Sequence, residues 1–213
     1  MAGSLKKNIA FWQKINAPSF VLSVIDQGYR LPFVTEPPPF SAKNNKSSLD
    51  HPEFVENAID ELLQRNCIKE VDSQPYCNNP LTVADSTEKL RLVLDLRHVN
   101  QYIFPDKFRY EDLYTLSELF EEGDYFFTFD LKSSYHHVNI HEDFHKYLGF
   151  QWSYRDGQVR FFIFVVLPFG LNIACYLFTK LLRPLVKKWR SMGIKAILYV
   201  DDGITEAPPL PKH

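Results

Sequence analysis

The chain has 213 residues, 45% of them hydrophobic and 15% aromatic, with a formal net charge of −2. That apolar content suffices for a packed core and excludes a wholly disordered chain, while the near-neutral balance excludes a uniformly basic nucleic-acid binder. Three cysteines, Cys67, Cys77 and Cys175, with no C-x-x-C pair, exclude a disulfide framework and a cysteine-type zinc finger, and suit a reducing, intracellular compartment, cytoplasmic or nuclear.

In chain order, residues 1–45 read as an N-terminal extension and linker, partly disordered. Residues 1–36 show no clear period and no secretory h-region, and Pro37-Pro38-Pro39 opens a polar stretch through residue 49. Residues 46–213 form the main unit. Pro52 opens a helix whose apolar face carries Val55, Ile59, Leu62 and Leu63. Short strands are predicted near 81–83 and 92–96, then a helix over 111–120 and an aromatic strand over 125–130. A structured segment over 133–138, a strand over 161–166, a helix from Ala174 and a strand over 194–200 follow. Mixed strands and helices without regular βαβ alternation predict an α+β fold.

The uncharged run 161–179 has the length of a bilayer span, but Pro168, Gly170 and Asn172 interrupt it. A strand, a turn and a buried helix account for it better, so no membrane partner is expected. Residues 151–200 carry eight Lys and Arg against Asp156 alone. That is either a solvated helix face or a surface for a phosphate backbone.

Two acidic features end strands: Asp130 after Tyr125–Phe129, and Asp201-Asp202 before Gly203. Alone, Asp-Asp-Gly is ordinary turn chemistry, predicting a hairpin turn at 201–203. If the two strands are neighbours, the carboxylates converge. Hard divalent cations would then relieve their repulsion, which is the arrangement of two-metal phosphoryl transfer. A rival motif, His141-Glu142-Asp143-Phe144-His145, fits the H-E-x-x-H zinc pattern, but no third ligand follows at a suitable place.

Four segments in order resemble the reverse transcriptases of long-terminal-repeat retroelements and retroviruses: KLRLVLDLRHVN (89–100), FDLKSSYHHVNI (129–140), LPFGLNIACYLFTKLLRPL (167–185) and YVDD (199–202). The wording of FTKLLRPL is most similar to DIRS-type retrotransposons. The resemblance implies a right-hand polymerase palm, an antiparallel sheet with packed helices, plus fingers. Its chemistry is RNA-directed deoxynucleotidyl transfer with two Mg²⁺ ions, Mn²⁺ being an alternative. It casts Asp130, Asp201 and Asp202 as catalytic metal ligands and Lys89 and Arg91 as triphosphate contacts. Tyr135 takes the position of a steric gate against the ribose 2′-hydroxyl, and Phe169 and Gly170 line the nucleotide pocket, where Gly170 allows close backbone approach. Arg97 and Asn100 would brace the fingers. Implied partners are a primer on an RNA or DNA template, deoxynucleoside triphosphates, and the thumb and RNase H segments of a parent polyprotein. The thumb is absent from this sequence, so weak or no activity is expected of the fragment. The alternative is a non-catalytic retroelement remnant that only binds nucleic acid.

Overall fold

The computed structural model describes residues 2–86, 89–104, 108–111, 113–121 and 124–206. The chain runs α1 (Ile9–Lys14), α2 (Ser19–Gln27), β1 (Phe40–Ser41), α3 (Lys46–Leu49), α4 (Pro52–Gln64), β2 (Ile68–Val71), β3 (Cys77–Asn78), β4 (Leu81–Ser86) and β5 (Lys89–Leu94). It continues through α5 (Arg97–Asn100), α6 (Leu113–Leu119), β6 (Phe126–Asp130), β7 (Gly149–Ser153), β8 (Val159–Phe164), α7 (Ala174–Ser191), β9 (Ala196–Tyr199) and β10 (Asp202–Glu206). The fold is α+β.

Three sheets organise it. Five strands in the order β1-β3-β7-β8-β2 and the hairpin β4-β5 form the fingers, and the three-stranded β6-β10-β9 sheet forms the palm. The expected amphipathic helix is α4, with Pro52 in its first turn and Val55 and Ile59 fully buried. The uncharged run divides as its proline and glycine require. Residues up to Phe164 belong to β8, the loop carries Leu167 to Ile173, and α7 begins at Ala174. Among the described residues no helix is long and apolar enough to cross a membrane.

The first 45 residues depart from the extension expected of them. Trp12, Val21, Val24, Ile25, Tyr29 and Leu31 are buried in the same apolar core as the fingers and α7. Gly28, at φ 87°, lets the chain run tightly against Ile140 and His141, where the Tyr29 amide donates to the Asn139 carbonyl at 2.8 Å. The proline run is likewise not a free linker. Phe40-Ser41 adds an edge strand to β3, and Phe40 stacks on His98 at 4.1 Å between ring centroids. Prolines preceding an edge strand cost no ladder hydrogen bonds, so composition alone misreads this segment. The tail from residue 207, with its prolines, lies outside the described residues.

Candidate active site

Asp130, Asp201 and Asp202 lie at one end of the palm sheet because β10 is its central strand. β10 pairs antiparallel with β6, Asp202 opposite Asp130 and Gly203 opposite Phe129, and with β9, Asp202 opposite Tyr199. The hairpin loop is therefore Val200-Asp201, not the expected 201–203. A two-residue loop needs positive φ to match strand twist. Here Val200 supplies it at φ 57°. A β-branched residue in that region costs on the order of 1–3 kcal/mol and persists only where the surroundings hold it. The Leu131 amide donates to the Asp201 carbonyl at 3.0 Å, tying the loop to the end of β6. Gly203 serves space rather than turn geometry: a Cβ there would stand 2.1 Å from Cζ of the Phe129 ring.

The electrostatics record the convergence. The Asp201 carboxyl is pushed above the usual carboxylate range, first by burial and then by the charges of Asp202 and Asp130, while Arg91 pulls it down. Four residues from three separate elements thus share one field. Among the described residues, no three acidic, imidazole or thiol groups stand close enough to hold a metal unaided.

Tyr135 lies in a 3-10 turn, Ser134–His137, entered through Ser133 at φ 54°. It is 7% exposed, with its ring 5.1 Å from Phe169 and 5.7 Å from Phe178 and its hydroxyl 2.9 Å from Cys175 Sγ. Its pKa is raised by burial, by Cys175 and by the Asp201 charge, which brings it into the same field as the carboxylates. Phe169 is half-exposed beside it. Lys89 and Arg91 are exposed on alternate positions of β5, hence on one face of the fingers hairpin; the hairpin tip, residues 87–88, lies outside the described residues.

Gly170 makes a close backbone approach to β5. At φ 106°, a Cβ would stand 2.0 Å from the Leu94 carbonyl oxygen, so its bareness lets the loop close against β5. Asn100 secures that closure. Its Nδ2 donates to the Gly170 carbonyl at 2.9 Å and its Oδ1 accepts from the Asn172 amide at 3.0 Å. Asn172 in turn donates to the Ile103 carbonyl at 3.2 Å. Arg97 is spent locally on Asp95 at 2.7 Å. Sequence reasoning missed Cys175 and Asn172: both lie inside a matched motif, but nothing in their spacing signals the contact.

The H-E-x-x-H motif falls on a 3-10 helix, Glu142–Tyr147, rather than an α-helix. With three residues per turn, positions i and i+4 no longer share a face. His145 Nε2 lies 2.8 Å from the Ile140 carbonyl, and His141 Nε2 2.7 Å from the Arg30 guanidinium. Both are structural contacts.

Comparison with known proteins agrees with this geometry. The family model described as "Reverse transcriptase (RNA-dependent DNA polymerase)" matches residues 82–207. The genome polyprotein of Petunia vein clearing virus (isolate Shepherd) is 30% identical over 178 residues, covering 82% of this chain and 8% of that protein. The retrovirus-related Pol polyprotein from transposon gypsy of Drosophila melanogaster is 30% identical over 159 residues, covering 71% of this chain and 14% of the relative. The chain therefore spans a small part of the curated relatives it matches. The crystal structure of Prototype Foamy Virus protease-reverse transcriptase has the same fold over 85% of this chain and 23% of that one, with TM-score 0.65 and 20% identity. The foamy viral protease-reverse transcriptase in complex with double-stranded DNA matches 97% of this chain and 38% of that one, with TM-score 0.65 and 19% identity. With more than half its length matched by the family, and the carboxylates of two distant segments brought to one sheet end, the chain belongs to the reverse transcriptase (RNA-dependent DNA polymerase) family.

Proposed function

We propose that this chain carries the fingers and palm of a retroelement polymerase that performs template-directed deoxynucleotidyl transfer. One observation carries the reading: Asp130 and Asp202 lie opposite each other in register, beside Asp201 on a strained turn, and Asp201 responds to both charges. Such a cluster of hard oxygen donors fits Mg²⁺, with Mn²⁺ able to replace it, and Asp130, Asp201 and Asp202 would be the ligands. Bound there, the ion supplies neutralisation of the carboxylates and of the charge that develops on the phosphates.

The chain's own groups would then do the following. Arg91, on the exposed face of the fingers hairpin and electrostatically coupled to Asp201, would hold the triphosphate, with Lys89 beside it. Phe169 would lie against the incoming nucleotide. Tyr135, wedged between Phe169 and Phe178 and anchored at Cys175, has a ring fixed enough to exclude a 2′-hydroxyl. Gly170 and Asn100 would act indirectly, by holding the Phe169 loop on the fingers. The bond formed joins the primer 3′-oxygen to the α-phosphorus, and the bond broken releases pyrophosphate. Partners would be a primer on RNA or DNA and deoxynucleoside triphosphates, together with the thumb and RNase H segments of a parent polyprotein.

The test is extension of a DNA primer on an RNA template with Mg²⁺, with and without an added thumb-containing chain, beside Asp201→Ala. Extension lost in the variant supports the reading. No extension under either condition from a folded protein overturns it in favour of a non-catalytic, nucleic-acid-binding remnant. In the same assay, Tyr135→Val should admit ribonucleotides.

A further inference from the structure

A cleft of about 780 Å³ lies between the α1–α2 turn, the C-terminal half of α7 and β9. It is separate from the residues assigned above, although Leu198 in its wall precedes the Val200-Asp201 turn on the same strand. Ile15, Pro184, Val186 and Leu198 give it an apolar lining. Five cations, Lys14, Arg183, Lys187, Lys188 and Arg190, face it against one carboxylate, Glu111.

That carboxylate is already neutralised. Arg190 pairs with Glu111 at 2.9 Å, and Glu111 also accepts from the Leu198 amide at 3.3 Å. Arg183 is held in place by its 4.0 Å stacking over Phe108 and its bond to the Arg109 carbonyl at 2.9 Å. Lys14, Lys187 and Lys188 are exposed. The positive charge of the rim is therefore in excess.

We propose that this cleft binds a small phosphate ester of the nucleoside phosphate class. The lysine rim would take the phosphates and the apolar lining the base or sugar face. The volume falls in the range of small-molecule sites, and the excess positive charge selects an anion.

The test is calorimetric titration of the folded chain with ADP in EDTA, which suppresses metal-dependent nucleotide binding at the carboxylates. Parallel titrations use inorganic phosphate and a short oligothymidylate. We expect saturable ADP binding, weakened at least about tenfold by Lys187→Glu with Lys188→Glu. Arg91→Ala should leave it unchanged. The two lysines are exposed, so their replacement does not threaten the fold. Absence of ADP binding at millimolar concentration overturns the proposal, as does binding that ignores the lysine variants or disappears in Arg91→Ala. Phosphate binding as tightly as ADP, or binding by the oligonucleotide alone, overturns it too.

Discussion

Asp130 and Asp202 occupy opposing positions across the β6–β10 pair, and each is exposed. Like charges placed directly opposite on a sheet destabilise it. Asp201 adds a third, with its pKa raised by burial and by both neighbours. For a carboxyl whose folded pKa is raised, the penalty is absent below the ordinary carboxylate range and complete above the raised value. At pH 7 in EDTA, Asp201→Asn should therefore melt slightly higher than the parent, by no more than about 1 kcal/mol after solvent screening. Mg²⁺ at ten times its dissociation constant should stabilise the parent by about 1.4 kcal/mol, and the variant by less. Thermal melts by circular dichroism read both, and a variant that melts lower in EDTA contradicts the account.

Gly203 and Phe129 are cross-strand partners, and the phenyl ring fills the space where a side chain at 203 would stand. The ring also meets Trp189 edge-on at 6.3 Å, so it has little freedom to withdraw. Gly203→Ala should cost about 1–3 kcal/mol by overpacking and disturb the register that sets Asp202 against Asp130. Adding Phe129→Leu should recover part of that loss. Urea unfolding of the two single variants and the double variant measures the coupling.

His136 follows Tyr135 and is 9% exposed, with Nδ1 unpartnered and its ring 5.6 Å from Phe169. Burial, reinforced by the positive charges of Arg65 and His137, lowers its pKa to about 4. The neutral ring is the stable form in the fold. Stability from this residue is complete above pH 6.5 and declines as pH falls toward 4, by roughly 3 kcal/mol in all. His136→Phe should flatten the stability profile between pH 6.5 and 4 relative to the parent. Parallel curves for the two proteins in denaturant titrations would refute the assignment.

Asn100 joins the fingers to the Phe169-Gly170 loop through bonds to Gly170 and Asn172. Asn100→Ala leaves these two backbone groups without their partner and should cost about 1–3 kcal/mol. If the loop lines the nucleotide pocket as proposed, the change should raise KM for the incoming nucleotide in the extension assay more than it lowers kcat. A fall in kcat alone would assign Asn100 a different role.

Local pattern made much of this protein legible. The i, i+4 apolar spacing of Val55 and Ile59 determined α4 and its buried face, because helix periodicity is a property of neighbouring residues. The same holds for the aromatic strand that ends at Asp130 and the strand that enters Val200-Asp201. The motif order also determined the family. What neighbours in sequence could not decide was pairing. That β10 lies between β6 and β9, setting Asp202 against a residue 72 positions earlier, depends on which strands bury their faces together. The turn shifted to Val200-Asp201 because register, not turn propensity, fixed where β10 begins. Gly203 and Gly170 read as turn or pocket glycines. Both also leave space, for Phe129 and for the Leu94 carbonyl, contacts that exist only once distant segments pack. Residues 1–45 read as a partly disordered extension and linker because residues 1–36 have no clear period, yet Trp12, Val21 and Ile25 are buried in the core shared with the rest of the chain. Periodicity reports what a segment does for itself; burial against distant partners is decided by the tertiary fold alone.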